Sequence, residues 1–379
     1  MNIEKWKFAK NIILPSAGGK FYKPVSMAVA GAICVSAILT GCSFGNEKMQ
    51  TSTLFAMDTV MELQVYGGDE AAALLQDAEQ QIRNLEKELS VTDDSSEIAY
   101  LNANGHVQLS DEPAQIMEEA LQYCESTDGA LDITIYPVLK AWGFTTGEYK
   151  VPSNEEIAQL LQNVDYRNVE LKDYLTSPYN GNADSPDTTC LCTISEGTQV
   201  DLGSVTKGYT SRKLASYFRE NGVTSGLINL GGNVECIGTK PNGDSWNVAV
   251  KSPFKDSDSG ILGVVKASDE AIITSGGYER FFEEDGETYW HIIDPSTGKP
   301  AKNGLISVTI IGTDGLMCDA LSTALFVKGL DGAVMYYHTN QAFDMILVTD
   351  AGEVYVTKGV SDRFTLSSEY YDLKLNVIE

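Results

Sequence analysis

Several stretches of this chain combine residue types that packing alone does not require. Asp201-Leu-Gly-Ser-Val-Thr-Lys207-Gly208 places a glycine turn where a helix could open. The first N–H groups of a helix are free and carry its positive dipole end, which suits a phosphate, and Lys207 adds a point charge. The same residues also fit a plain capped helix, with Asp201 and Ser204 satisfying backbone donors. Asn229-Leu-Gly-Gly-Asn233 lets backbone approach a ligand closely, or makes a turn. Ile273-Thr-Ser-Gly-Gly277-Tyr-Glu-Arg280 is polar and glycine-rich between apolar runs. Further on, His291 stands three residues before Asp294-Pro-Ser-Thr-Gly298. The chain has only three histidines, and His291 has the best company for a general base near neutral pH. Asp319 and Thr323, four residues apart, would share a helix face and offer two oxygens to a hard cation. Asp132 reads as a carboxylate inside an apolar strand, where it needs a partner.

Alternation and helical periodicity indicate what positions these groups. Met61, Leu63 and Val65 alternate with polar neighbours as a half-buried strand, followed by an amphipathic helix over 69–89. Helices are predicted over 113–126, with Asp111 as cap, and after Ser153, which forms a capping box with Glu156. Residues 172–189 are polar and turn-rich and read as a surface excursion. The second half reads as a strand into Leu202, a helix over 204–221, and strands at 226–230, 246–250, 263–267, 271–274 and 306–311. A helix over about 315–327 and strands over 342–348 and 352–356 complete it. Paired strands with interspersed helices argue for an α+β fold rather than a regular βαβ sheet.

Composition narrows the function. Of the 379 residues, 53 are acidic and 27 are Lys or Arg, a net charge of −26, which opposes binding of nucleic acid. Residues 1–41 read as a secretory leader: five lysines against one glutamate, then an apolar run from Val25 to Leu39 that is short for a membrane span. Leu39-Thr-Gly-Cys42 resembles a bacterial lipobox, in which Cys42 is lipidated and becomes the new N-terminus. Residues 42–53 then read as a lipidated tether and 54–379 as the globular part, on the extracytoplasmic face of the cell membrane. Cys124, Cys190, Cys192, Cys236 and Cys318 fit neither a zinc site nor a disulfide framework.

Taken in order, Met57-Asp-Thr, Ser96-Glu-Ile, Ala130-Leu-Asp-Ile-Thr, Asp201-Leu-Gly-x-x-x-Lys-Gly and Asn229-Leu-Gly-Gly resemble the ApbE family. Thr274-Ser-Gly, His291-x-x-Asp-Pro-x-Thr-Gly and Asp319-Ala-Leu-Ser-Thr extend the resemblance over nearly all of 54–358. It implies a T-fold-like α+β architecture of mixed and antiparallel sheets with packed helices. It also implies Mg2+-dependent transfer of FMN from FAD to a Thr or Ser hydroxyl of an acceptor protein, with AMP released. Family acceptors are flavin-carrying subunits of membrane redox complexes of the Rnf and Na+-pumping quinone reductase types. Some members instead hydrolyse FAD to FMN and AMP, and a flavin-storing lipoprotein is the non-enzymatic alternative.

Residue by residue, the resemblance places Met57, Thr92, Ala130, Leu131, Asp132, Asp201 and Lys207 at the FAD. The metal falls to Asp319, Thr323 and the main-chain carbonyl of Ser204, and His291 is the base for the acceptor hydroxyl. The chain departs from the family pattern at Asp58, where Gly is common, at Thr92, where an aromatic is common, and at Gly277, where an acid or amide is frequent.

Overall fold

The computed structural model describes residues 48–68, 70–175 and 188–379. The leader, Cys42 and the tether as far as residue 47 lie outside the described residues, as does 176–187 of the surface excursion.

Leu54, Ala56, Met61, Leu63 and Val65 are all buried, and their alternation builds a hairpin of β1 (Lys48–Ala56) and β2 (Thr59–Gly67). Residues 48–53 are strand, because an edge strand turns polar side chains to water while its backbone pairs with β2. Helix α1 (Ala71–Leu89) buries Leu75, Ala78, Ile82, Leu85 and Leu89. Next come α2 (Glu97–Asn104), β3 (His106–Leu109) and α3 (Asp111–Ser126). Asp111 is the first residue of α3 rather than its cap, and the Ser110 N–H before it donates to Glu97 Oε2 at 2.8 Å. Asp132 lies in no strand. Residues 129–135 are turns leading into α4 (Tyr136–Trp142), because three hydrogen bonds to the Asp132 carboxylate fold the backbone around it. The Ser153 capping box opens α5 (Asn154–Leu160), Ser153 Oγ accepting the Glu156 N–H at 3.1 Å. The polar excursion yields both its ends to β4 (Val169–Leu175) and β5 (Thr188–Ile194), which pair with each other.

Residues 195–202 are irregular, where a strand into Leu202 was expected. They lead to α6 (Gly203–Glu220), β6 (Ser225–Leu230), β7 (Asn233–Gly238), β8 (Trp246–Lys251) and β9 (Ile261–Ala267). Then come β10 (Ala271–Gly276), β11 (Phe281–Glu284), β12 (Glu287–Trp290), β13 (Ile293–Asp294), β14 (Lys299–Pro300) and β15 (Leu305–Gly312). Helix α7 (Gly315–Thr339) breaks at Gly329, φ +72, where its expected end lay close by. There Asn303 Nδ2 donates to the carbonyls of Phe326 and Val327 at 2.8 and 2.7 Å, satisfying groups that a helix end leaves free. The chain closes with β16 (Asp344–Thr349), β17 (Val354–Thr357), α8 (Lys358–Ser361), β18 (Phe364–Leu366) and β19 (Leu375–Ile378).

The strands assemble as an α+β fold around one nine-stranded sheet, in order β1-β2-β6-β7-β10-β15-β16-β17-β19. Every neighbouring pair in it is antiparallel except β17 and β19. One face packs α1 and α6 through Ile82, Leu214, Phe218 and Ile228, and α7 through Ile310, Leu321 and Leu325. The opposite face packs the small sheet β18-β9-β8 through Val234, Val248, Val265 and Ile346. Beyond the helices a third core joins α2, α3 and the sheet β3-β5-β4 to α6 and α7, with Leu101, Ile116, Cys192, Val205 and Leu316 buried in it. Helices α6 and α7 thus lie between two layers, and both carry site residues.

Candidate active site

Glycine brings α6 and α7 into contact. A Cβ on Gly208 would stand 2.2 Å from the Gly315 carbonyl oxygen and 2.6 Å from Asp319 Cβ, distances no side chain tolerates. The start of α6 is fixed just as firmly. Asn102 binds the backbone of Val200 on both sides, donating to its carbonyl at 2.8 Å and accepting its N–H at 2.6 Å. The Asp201 N–H donates to the Ile133 carbonyl at 2.8 Å, and Asp201 Oδ1 accepts the Gly203 N–H at 2.7 Å. Leu202 is the cap residue of α6 and has no side-chain cap bond, so Asp201 fixes the turn just before the helix rather than capping it.

Asp319 is buried at this crossing. Its Oδ2 accepts the Gly208 N–H at 2.8 Å and its Oδ1 accepts Asn233 Nδ2 at 3.0 Å. Burial pushes its carboxyl above the usual range, and the Lys207 charge and both hydrogen bonds pull it back. In a regular helix the Gly208 N–H points at the carbonyl four residues earlier, that of Ser204. Because it also reaches Asp319, the Ser204 carbonyl and the Asp319 carboxylate both neighbour the Gly208 N–H. One turn along α7, Thr323 Oγ1 lies 3.3 Å from Ser275 Oγ, which lies 2.8 Å from Ser322 Oγ, and Ser322 donates to the Asp319 carbonyl at 2.8 Å. Each hydroxyl has one proton, so the chain runs Thr323 to Ser275 to Ser322 to carbonyl. That leaves the lone pairs of Thr323 open. Carboxylate, hydroxyl and carbonyl oxygens are a hard donor set that suits Mg2+. No cluster of three or more His, Cys, Asp or Glu at metal-binding distance exists among the described residues.

Lys207 is half-buried and makes no hydrogen bond or ion pair among the described residues. Its charge acts on Asp319, Glu279 and His291 alike, so all three lie within electrostatic reach of it. Asp201, Glu279 and His291 are hemmed in by protein yet keep water contact, as groups on a cleft wall do. His291 Nδ1 lies 3.2 Å from the Arg280 carbonyl, which can only accept, so Nδ1 carries the proton and Nε2 presents a lone pair. The free-imidazole value near ~6.5 does not hold here. Desolvation, then the charges of Arg280 and Lys207, push His291 down to about 3. Glu279 was not singled out from the sequence, although the stretch carrying it was. Burial raises its carboxyl, against the pull of Lys207 and Lys251.

The remaining site residues gather at a second rim. Met57 and Asp58 form the two-residue turn of β1 and β2 with φ +48 and +58, a left-handed geometry that is costly for Met. Glu86 Oε1 holds this turn by accepting the Met57 N–H at 2.5 Å. The turn lies beside that of β6 and β7, since a Cβ on Gly231 would meet Thr59 Oγ1 at 2.2 Å. Thr92 is exposed in a loop tied down by Tyr136, whose hydroxyl donates to the Val91 carbonyl at 3.3 Å. Met57 and Ala130 pack against the same core. Leu131 and Asp132 turn their side chains inward: Leu131 is in that core, and Asp132 accepts from Thr134 N–H and hydroxyl and from the Tyr166 N–H. A ligand here would meet their backbone. At Gly277 the ring of Trp290 fills the space a side chain would need, 2.9 Å from an added Cβ.

The model of the ApbE family matches residues 57–347. A FAD:protein FMN transferase of Klebsiella pneumoniae (strain 342) is 32% identical over 330 residues, 86% of this chain and 97% of the relative. One from Treponema pallidum (strain Nichols) is 31% identical over 80% of this chain and 86% of its own length. The crystal structure of the ApbE protein of Thermotoga maritima superposes with a TM-score of 0.72 at 30% identity, covering 82% of this chain and 98% of that one. The flavin transferase ApbE of Vibrio cholerae, at 24% identity and a TM-score of 0.71 over 82% of this chain and 98% of its own, shares the fold.

Proposed function

The chain belongs to the ApbE family and is an enzyme of the FAD:protein FMN transferase class, and we propose that it joins FMN to a Ser or Thr hydroxyl of an acceptor protein and releases AMP. The observation that carries this reading is Lys207. It is a half-buried cation without an ion pair among the described residues, and its charge reaches both a carboxylate that could hold a metal and a histidine with an open lone pair. A pyrophosphate supplies the anionic charge that this arrangement lacks.

In the reaction, the acceptor hydroxyl attacks the phosphorus on the FMN side of the pyrophosphate. A new O–P bond forms, the bond from that phosphorus to the bridging oxygen breaks, and AMP leaves with that oxygen. His291 Nε2 takes the hydroxyl proton. The depressed imidazole is neutral at physiological pH and ready to accept, and the negative charge of a bound pyrophosphate raises its basicity. Lys207 neutralises charge growing on the phosphoryl oxygens, and Asp201 holds the helix start that carries Lys207. Mg2+ held by Asp319, Thr323 and the Ser204 carbonyl would supply further electrostatic stabilisation of that charge.

The partners follow from the same reading. FAD is the substrate, and the acceptors are flavin-carrying subunits of the Rnf or Na+-pumping quinone reductase kind. The enzyme works at the outer face of the cell membrane, anchored through lipidated Cys42. No helix among the described residues is long and apolar enough to cross a membrane. Intact-mass measurement of an acceptor after incubation with enzyme, FAD and Mg2+ tests the reading. An adduct of FMN mass is expected. Free FMN and AMP with an unchanged acceptor would make the protein an FAD pyrophosphatase, and intact FAD would make it a flavin-binding protein.

A further inference from the structure

β11 and β12 form a sheet of their own, and an isolated pair of strands is marginal in water. One aromatic face holds it. Phe282 stacks on Tyr149 with ring centroids 5.1 Å apart and on Tyr289 at 5.2 Å, and Tyr289 lies 5.3 Å from Trp142. Phe281 remains 40% exposed and Tyr149 47%. Neither strand pairs along its outer edge with another strand among the described residues, which leaves rows of backbone donors and acceptors without a sheet partner.

The far end of the hairpin is acidic. Its turn, Asp285–Gly286, has φ +51 and +81 and joins Glu284 to Glu287. Lys255 reaches Glu283 at 2.9 Å and Lys302 reaches Glu287 at 3.4 Å, while Glu284 and Asp285 have no cationic partner among the described residues. Glu284 faces Glu287 directly across the ladder, a like-charge pair that costs stability and that an incoming cation would relieve. The near end runs into the active site, with the His291 N–H donating to the Arg280 carbonyl at 3.0 Å across the base of the hairpin. Alongside lies a cavity of about 490 Å³ lined by Trp142, Val151, Asn154, Glu287, Tyr289 and Lys302.

We infer that this hairpin and cavity dock the acceptor polypeptide, as an extended segment paired along a free strand edge with a Lys or Arg at the acidic tip and an aliphatic side chain in the cavity. This deepens the transferase reading and rests on it. At about 3.3 Å per strand residue, the tip lies ~13 Å from His291. The cation therefore belongs about four residues from the hydroxyl that receives FMN.

Two synthetic peptides test the surface. Both carry one Thr in a Gly-Ala core, with a Lys pair or a Glu pair four residues away and a fluorescent label at the far end. Anisotropy without FAD reads docking, and peptide mass after FAD and Mg2+ reads transfer. The Lys peptide should bind at least tenfold tighter than the Glu peptide. Glu284→Lys with Asp285→Lys should abolish or reverse that preference, and the neutral pair Glu284→Gln with Asp285→Asn should fall between. Equal binding of the two peptides, or a preference unchanged in the charge-reversed enzyme, overturns the inference while the transferase reading stands. Lys-peptide binding with FAD left intact overturns the transferase reading and this inference with it, because the docked segment would then not be an acceptor.

Discussion

At the scale of single residues, the cleft sets a proton balance that isolated side chains would not show. Desolvation and two neighbouring cations hold His291 at about 3. An unfolded chain takes up a proton there below ~6.5, so between about 6.5 and 3 the unfolded state binds more protons than the folded one. Stability contributed at this position is present above that window and is lost as pH falls through it. The imidazole resonances of His291 in the unliganded enzyme should stay flat from pH 5 to 8, and a midpoint near 6.5 would contradict the described cleft. His291→Ala should keep FAD affinity while reducing transfer by roughly two decades or more, the scale of a positioned base. Retained activity in His291→Asn would move the base elsewhere. Asp319→Ala should abolish FMN release and also leave the buried Asn233 amide without its acceptor, a loss of ~1–3 kcal/mol in thermal or chemical melts. Thr323→Val should be milder and partly restored by higher Mg2+. Full turnover by Asp319→Ala at low Mg2+ would remove the metal from this site.

At the scale of elements, the site depends on how closely α6 and α7 approach. Gly208→Ala sets a methyl against the Gly315 carbonyl at 2.2 Å, where backbone cannot yield as a flexible side chain could. A loss of about 1–3 kcal/mol is expected, as for overpacked cores, together with weaker FMN release because Lys207 and Asp319 are pushed apart. Ser204→Ala on the same helix should be nearly silent, since the ligand assigned there is a carbonyl. A melt for Gly208→Ala matching the native enzyme would show that the helices have room to separate. The other end of the same sheet carries the strained Met57–Asp58 turn, and such strain persists where the surroundings hold it, here through Glu86 and Thr59.

At the scale of the whole molecule, a net charge of −26 surrounds a site built for a dianionic substrate. The long-range field opposes FAD, and attraction is confined to Lys207 and the helix start, which makes binding local. Under the proposed function, delivery to a membrane acceptor would depend on a lipid anchor at Cys42. Cys42→Ala should yield unprocessed or released protein on fractionation, and mature protein still retained in the membrane would exclude lipidation at Cys42.

Much of this was legible in residue order, because strands and helices that bury one face announce their period locally. The hairpin of Met61, Leu63 and Val65, the buried stripe of α1 and the capping box at Ser153 are all local signals. So is the pairing of Asp319 with Thr323 along one helix, together with the order of motifs that identified the family. The Asp-Gly turn of β11 and β12 was equally plain, flanked by aromatic alternation, and went unread beside the longer strands. Other features belong to no local window. Residues 48–53 are polar enough for a tether, and only the partner strand makes them sheet. Asp132 is folded into a turn by donors from Thr134 and the distant Tyr166. Glu279 joins the site because β10 leads it to Lys207, and the depressed basicity of His291 comes from Arg280 and Lys207 across the cleft. Sequence by itself determined which chemical groups this protein carries and which elements present them. Tertiary structure decided their distances and their desolvation, and those set protonation, because electrostatic energies depend on separation and dielectric rather than on order along the chain.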